Sequence, residues 1–368
     1  MGDRKRAGRG SPGLAFVTMR ALQMVKPHSE PELREVEQPH PGPGQVVIKV
    51  GGAGACHSDL HILHESDSSP WPLPFTIGHE NAGWVHELGE GVTGLQVGQA
   101  VAVYGAWGCG ACSRCRVGMD NYCEDPMAMP VPFGGCGLGA DGGMADYLLV
   151  PAARHLVALP EGLSPADAAP LSDAGLTPYH AIRRSWPKLT PEATAVVIGA
   201  GGLGHIAVQI IKATTGARVV AIDTKADALD LASSLGADLT VTASDQAAQA
   251  VKDATGGHGA DVVLDFVGTE ATLATAIASA RTLGDLTLVG VAGGTRDFGF
   301  FTVPYELSLQ SVYWGSRPEL VELLELGARG LVRPVTTTYP LDQAVDAYRA
   351  LHDGAVSGRA VIIPNSAP

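Results

Sequence analysis

Short apolar runs separated by glycine and proline fill the first half of the chain, and a longer strand–helix alternation replaces them after about residue 172. Gln45–Val50 (QVVIKV) and Ala100–Val103 are such runs, closed by PGPG at 41–44 and GEGV at 89–92. Branched aliphatic residues bounded by turn formers predict strands, so residues 19–171 read as an all-β, partly barrel-like domain. Beyond Ser172, an apolar run at Ala195–Ile198 leads through a glycine-rich turn into an amphipathic helix at Leu203–Thr214. Strand Arg218–Asp223, helix Asp227–Leu235, strand Val262–Phe266, helix Glu270–Ala280 and strand Asp285–Val291 follow. This alternation predicts a parallel, doubly wound sheet over 172–315. A helix at Pro318–Gly327 and a strand at Arg359–Ile363 are expected to return to the first domain, giving it residues 19–171 and 316–368. The fold class expected is two-domain α/β.

Composition narrows the function classes. A length of 368 residues suits two domains, and 45% hydrophobic residues supply their cores. The net charge of −13 argues against nucleic-acid or anionic-membrane partners, which need a basic face. No apolar run approaches the ~20 residues that span a bilayer. Residues 1–18 are basic and glycine-rich, and LAFV is too short for the apolar part of a signal peptide. A disordered tail and a cytoplasmic location are expected.

The turn VVIGAGGLGH supplies Gly199, Gly201, Gly202 and Gly204 between a strand and a helix. The first glycine allows the sharp turn, Gly201 lets backbone approach a pyrophosphate, and Gly204 permits close helix–strand packing. The helix N-terminus offers free N–H groups to the phosphates. A glycine-rich turn alone is weak evidence, but Asp223 ends the next strand 19 residues after Gly204, placed to accept hydrogen bonds from a ribose diol. Its charge also repels a 2′-phosphate, favouring NAD over NADP, although Lys225 softens that preference. Leu203, Val267 and Val291 complete the expected cofactor contacts.

Of six cysteines, four form C-x2-C-x2-C-x7-C at Cys109, Cys112, Cys115 and Cys123. Such clustering suggests metal more than disulfides, and four thiolates on one loop match a closed, structural zinc site. A zinc-ribbon module for nucleic acid is the alternative, but only Arg114 and Arg116 interleave and the chain is acidic. A second constellation is dispersed: Cys56-His57-Ser58-Asp59-Leu60-His61, then Gly78-His79-Glu80, then Asp173. Taken singly, Cys56 reads as a buried thiol, His79 as a core histidine and Asp173 as a helix cap. Their joint occurrence with the thiolate loop and the nucleotide turn overturns those readings.

Together with GHENAGWV at 78–85, GGMADYLLVP at 142–151 and DAGLTPYHA at 173–181, these motifs resemble the medium-chain, zinc-dependent alcohol dehydrogenases from about Met19 to Ile363. The resemblance implies a GroES-like catalytic domain, a Rossmann domain and an active site between them. It implies that Cys56, His79 and Asp173 hold a catalytic zinc, with Glu80 able to approach the metal when the open position is vacant. Aspartate at 173 departs from the animal and yeast enzymes, which use cysteine, and looks like the bacterial secondary-alcohol members. Ser58 and His61 match the family's proton relay, acting through the nicotinamide ribose. His57 is placed near the cofactor phosphates, or is simply exposed, and Arg359 resembles the family's late basic residue that reaches the pyrophosphate. Cys56, His79 and the thiolate loop argue against the zinc-free quinone and enoyl reductases of the same fold.

Hydride leaves an alkoxide far more readily than a neutral alcohol. A Lewis-acidic zinc lowers the pKa of bound water from about 15.7 to about 7. A comparable drop for an alcohol is worth roughly 12 kcal/mol, beyond any single hydrogen bond at about 0.5–3 kcal/mol. The expected reaction is therefore reversible oxidation of an alcohol to a ketone by NAD, with two zinc ions per chain. Trp107, Phe133, Tyr313 and Trp314 are candidates for pocket walls or for core. An aromatic cleft suits medium-sized or aryl secondary alcohols, with a primary alcohol or aldehyde, or NADP-linked carbonyl reduction, as the alternative. Two competing classes are a reductase with one structural zinc and a non-catalytic sensor that binds NADH without turnover. A homotetramer, or a homodimer, is the expected assembly.

Overall fold

The computed structural model describes residues 17–64, 71–129, 131, 132 and 134–367. The tail expected over 1–18 thus lies almost wholly outside the described residues, and a strand begins at Thr18. The strand expected at Gln45–Val50 runs further, from Val46 to Ala55, and nearly every residue in it is buried. It is the axis of a seven-stranded sheet and pairs with Glu80–Leu88, Tyr147–Val150 and Arg359–Ile363. Its second half, GGAGA, is built of small residues because other groups press on it. A Cβ on Gly52 would come within 3.0 Å of Ala166 Cα, and one on Gly54 within 2.0 Å of Glu80 Oε2. Ala100–Val103, Leu156–Ala158 and Thr336–Pro340 complete the sheet, and Thr18–Met24, Glu32–Glu37 and Phe75–Thr76 form a small separate one.

The second sheet has six parallel strands. Their spatial order is Leu239–Thr242, Arg218–Asp223, Thr194–Ile198, Ala260–Asp265, Ala280–Leu288 and Ser308–Ser311. Numbered along the chain that order is 3-2-1-4-5-6, the doubly wound arrangement whose ligand crevice lies at the carboxyl ends of the strands where the order reverses. Thr194–Ile198 is buried at every position, as a central parallel strand must be. Helices anticipated from apolar periodicity appear at Gly204–Thr214, Ala226–Ser234 and Glu270–Ser279.

Arg317–Ala328 is a helix, begun by a capping box between Ser316 and Glu319, a device worth about 1 kcal/mol. Its Leu320, Leu323 and Leu324 are buried in the cluster that holds Leu171, Leu176 and Tyr179. The chain leaving the parallel sheet is thereby pinned beside Asp173. Among the described residues no helix is long and apolar enough to cross a membrane.

Candidate active site

Strand Val46–Ala55 ends at Cys56, and helix His57–His64 begins directly after it. His79 and Glu80 open the neighbouring strand Glu80–Leu88, and Asp173 closes a short helical turn at Pro170–Ser172. These three approaches converge. One ligand atom from each of Cys56, His79, Glu80 and Asp173 lies within 4.8 Å of the others. His79 Nε2 is 3.3 Å from Asp173 Oδ2. Its other nitrogen, Nδ1, lies 2.9 Å from Asp59 Oδ1. A carboxylate there accepts a hydrogen bond from Nδ1–H, which fixes the proton on Nδ1 and leaves the Nε2 lone pair facing the cluster, as a metal-ligating histidine requires.

Asp59 is itself buried and fully engaged: its second oxygen accepts from the Cys56 N–H at 3.0 Å and from the Tyr348 hydroxyl at 2.8 Å. Asp173 Oδ1 accepts from Thr177 Oγ1 at 2.8 Å, so its side chain is aimed by a hydroxyl, with Oδ2 toward His79; the cap reading fails. Burial alone would raise the Cys56 thiol, but Arg359 and the His79 contact bring it down to about 7. One thiolate, one imidazole and one carboxylate meeting at a point are the donor set of a catalytic zinc with one open position.

Arg359 is buried to 1% exposure and donates to both oxygens of Glu80, through Nε at 3.0 Å and through the terminal nitrogen. It also packs against the glycine turn, where a Cβ on Gly202 would lie 2.6 Å from its terminal nitrogen. The two residues read separately as a pyrophosphate contact and a metal-approaching carboxylate are a single ion pair between turn and metal cluster.

Gly199, Asp223, Val267 and Val291 all follow or end parallel strands at the carboxyl edge of the sheet. Gly199 has φ 85°, and a Cβ there would strike Val267 Cγ2 at 2.6 Å. A Cβ on Gly204 would meet the Gly199 carbonyl oxygen at 1.9 Å, while Gly201 faces open space. Leu203 is half-buried between them. Asp223 accepts from the Ala200 N–H at 2.7 Å and the Lys225 N–H at 2.9 Å, and Lys225 Nζ donates to the Gly354 carbonyl at 2.7 Å. The surrounding protein, and then the positive charges of Arg359 and Lys225, hold His57 below the usual histidine range. The positive charges of Arg359 and Lys225 thus both reach His57, and Arg359 also lies against the turn at Gly202.

Cys109, Cys112, Cys115 and Cys123 also bring their sulfurs within 4.8 Å of one another. Backbone N–H groups point at them: Cys112 N to Cys109 Sγ at 3.4 Å, Cys115 N to Cys112 Sγ at 3.5 Å, and Cys109 N to Cys123 Sγ at 3.3 Å. The amides of Cys115 and Glu124 draw the Cys112 thiol down to about 6. Burial pushes the Cys115 and Cys123 thiols up instead, but four sulfurs gathered on one loop, three of them facing amide hydrogens, suit thiolates around zinc, closed to any further ligand. The sixth cysteine, Cys136, is buried beneath Asn81 and its thiol is pushed up to about 12.

Ser58 lies 3.6 Å from Cys56 Sγ, and His61 is exposed one turn along the same helix. Trp314 is buried, lies edge-on to His79 at 5.8 Å and donates to the Ser172 carbonyl at 3.2 Å. Tyr313 is 48% exposed, and the charges of His79 and Asp173 bear on its hydroxyl. Trp107 packs instead on His155 at 5.9 Å in the β-domain core. Phe133 lies outside the described residues. The roles of Asp59, Tyr348, Thr177 and Trp314 come from the structure; Asp59 lies inside the CHSDLH string and Thr177 inside DAGLTPYHA, whereas Tyr348 sits in no motif.

Comparison with known proteins agrees with this geometry. The alcohol dehydrogenase GroES-like domain family matches residues 42–161, and the zinc-binding dehydrogenase family matches residues 202–329. A NAD-dependent alcohol dehydrogenase from Sulfolobus acidocaldarius is 37% identical across 94% of this chain and 99% of its own. The alcohol dehydrogenase of the hyperthermophilic archaeon Aeropyrum pernix superposes with a TM-score of 0.86 at 36% identity, covering 94% of this chain and 100% of that one. Acetophenone reductase from Geotrichum candidum, in complex with NAD, gives 0.82 at 31% identity, covering 95% and 98%. With both halves matched and a relative aligned along nearly its full length, the chain belongs to the zinc-dependent, medium-chain alcohol dehydrogenase family.

Proposed function

We infer that this protein oxidises an alcohol to a carbonyl compound, reversibly, by hydride transfer to NAD. The observation that carries the reading is the meeting of Cys56, His79 and Asp173 within 4.8 Å at the end of the central strand. Zinc held there supplies Lewis acidity to the substrate oxygen. The chain's own residues do the rest. Asp59 fixes the His79 tautomer and Thr177 aims Asp173. Ser58 takes the substrate proton and passes it toward His61 and solvent. The turn at 199–204 seats the pyrophosphate, helped by His57 and Arg359, and Asp223 holds the ribose. We place the domain boundaries at 171/172 and 315/316, with 172–315 binding NAD, in keeping with the last parallel strand ending at Ser311.

The half-exposed Tyr313, beside the buried Trp314, offers an aromatic wall next to His79. That favours a medium-sized or aryl secondary alcohol, and the likeness to an acetophenone reductase points the same way. A panel of alcohols and ketones, assayed with NAD and NADP, tests this: aryl secondary alcohols with NAD should lead, and failure of every alcohol and ketone would defeat the reading. We also propose a homotetramer or homodimer. Phe298, Phe300, Phe301 and Tyr305 are 57–87% exposed beside Ser308–Ser311, the edge strand of the parallel sheet, a combination that invites self-association. A monomeric mass in solution would contradict it. Cysteines placed as metal ligands suit a reducing compartment, the cytoplasm.

A further inference from the structure

One buried titratable group that the proposed chemistry does not use joins the two halves of the molecule. His205 is the second residue of helix Gly204–Thr214 and has no solvent exposure. The Val335 N–H donates to its Nε2 at 3.1 Å. Nε2 is therefore an acceptor, and the ring proton sits on Nδ1, 2.8 Å from the Gly201 carbonyl to which it donates. Burial keeps the ring neutral, its pKa brought down to about 4. Gln209, one turn on, repeats the strap: its Oε1 accepts from Arg333 N at 2.9 Å and its Nε2 donates to Arg333 O at 2.9 Å.

The path continues beyond the strap. The Val335 carbonyl accepts from the Arg359 N–H at 2.8 Å. The guanidinium of Arg359 packs on Gly202 and grips Glu80, the residue after His79. Hydrogen bonds thus run without a gap from the phosphate-facing turn to the neighbour of a metal ligand. A histidine serves here because a neutral imidazole donates from one edge and accepts at the other, across a span no apolar side chain can bridge.

We propose that His205 is a positioning residue for the dinucleotide, fixing the Gly201 peptide and tying the glycine turn to the Val335–Arg359 segment. The assignment rests on the NAD reading above. Three variants separate its two bonds: His205→Asn keeps a donor near Gly201, His205→Gln keeps an acceptor near Val335, and His205→Leu keeps neither. NADH dissociation constants, KM for NAD and for alcohol, kcat, zinc content and Tm are measured together. The Leu variant should weaken NADH and raise KM for NAD about tenfold, the loss of about 1.4 kcal/mol. In that variant kcat at saturating NAD and two zinc ions per chain should persist. Asn and Gln should each recover part of the affinity. Folded Asn and Gln variants that bind NADH within twofold of wild type would overturn the proposal, whether or not the Leu variant folds. So would losses confined to kcat or Tm. Wild-type protein that binds no NADH would instead sink the dinucleotide reading, a result visible before any variant is made.

Discussion

The guanidinium of Arg359, on the last strand of the chain, holds both carboxylate oxygens of Glu80, and neither residue reaches solvent. Gly54 leaves the space this pair occupies: a Cβ there would lie 2.0 Å from Glu80 Oε2. The cluster of Cys56, His79 and Asp173 is thereby closed on one side by an ion pair that the sequence separates by 279 positions.

Breaking a buried pair from one side strands the remaining charge, which costs about 3–5 kcal/mol. Arg359→Met should lose that much stability in denaturant titration. Arg349→Met, which removes an exposed, solvent-screened partner of Glu30, should leave stability nearly unchanged. Equal losses in the two variants would mean that the Arg359–Glu80 pair is not desolvated in solution.

Asp59 stands behind both Cys56 and His79, so its effect should appear in metal affinity before stability. Asp59→Asn is expected to weaken catalytic-site zinc about 10–100-fold in chelator competition, with the thiolate-loop zinc unmoved. Tyr348→Phe removes one of the donors to Asp59 and should weaken zinc less than Asp59→Asn does. An Asp59→Asn variant with wild-type zinc retention would show that the His79 tautomer is fixed by other means.

Ser58→Ala removes the proposed first proton acceptor and no metal ligand. Zinc content should stay at two per chain while alcohol oxidation slows and its pH–rate profile moves. A profile superimposable on wild type would count against the relay.

His155 is buried against Trp107, and its Nδ1 has no hydrogen-bond partner among the described residues. Burial, then Arg154 and Arg317, brings its pKa down to about 3. The folded pKa lies below the unfolded value of about 6.5, so its contribution is complete above pH 6.5 and is lost as pH falls toward 3. Between pH 7 and pH 5 that loss is about 2 kcal/mol. His155→Leu should flatten the decline by that amount in paired unfolding curves. Parallel pH dependences in the two proteins would contradict the assignment.

Residues whose chemistry is local were legible in the sequence. The glycine turn, the thiolate spacing and the strand run at Thr194–Ile198 each carry their reason within a short stretch. Helix His57–His64 leaves little mark in the sequence, because only Asp59, Leu60 and Leu63 of its eight residues are buried and they form no long apolar stripe. Ser308–Ser311 reads SLQS and is mostly exposed, so nothing in its composition marks an edge strand. Partnerships across the fold were hidden for another reason. Arg359 with Glu80 and Tyr348 with Asp59 meet through pairing and packing within the domain of the seven-stranded sheet, and His205 with Val335 through the docking of the two domains. Aspartate at 173 illustrates both cases: resemblance named it a ligand, but only the structure brings it within 3.3 Å of His79.

Zinc content measured beside alcohol-dependent NADH formation, in wild type and in Cys56→Ser, His79→Ala and Asp173→Asn, tests the central claim most directly. Two zinc ions and turnover are expected in wild type, against one zinc ion, retained NAD binding and no turnover in each variant. Variants that turned over at the wild-type rate with a single zinc ion would contradict a catalytic metal held by these three side chains.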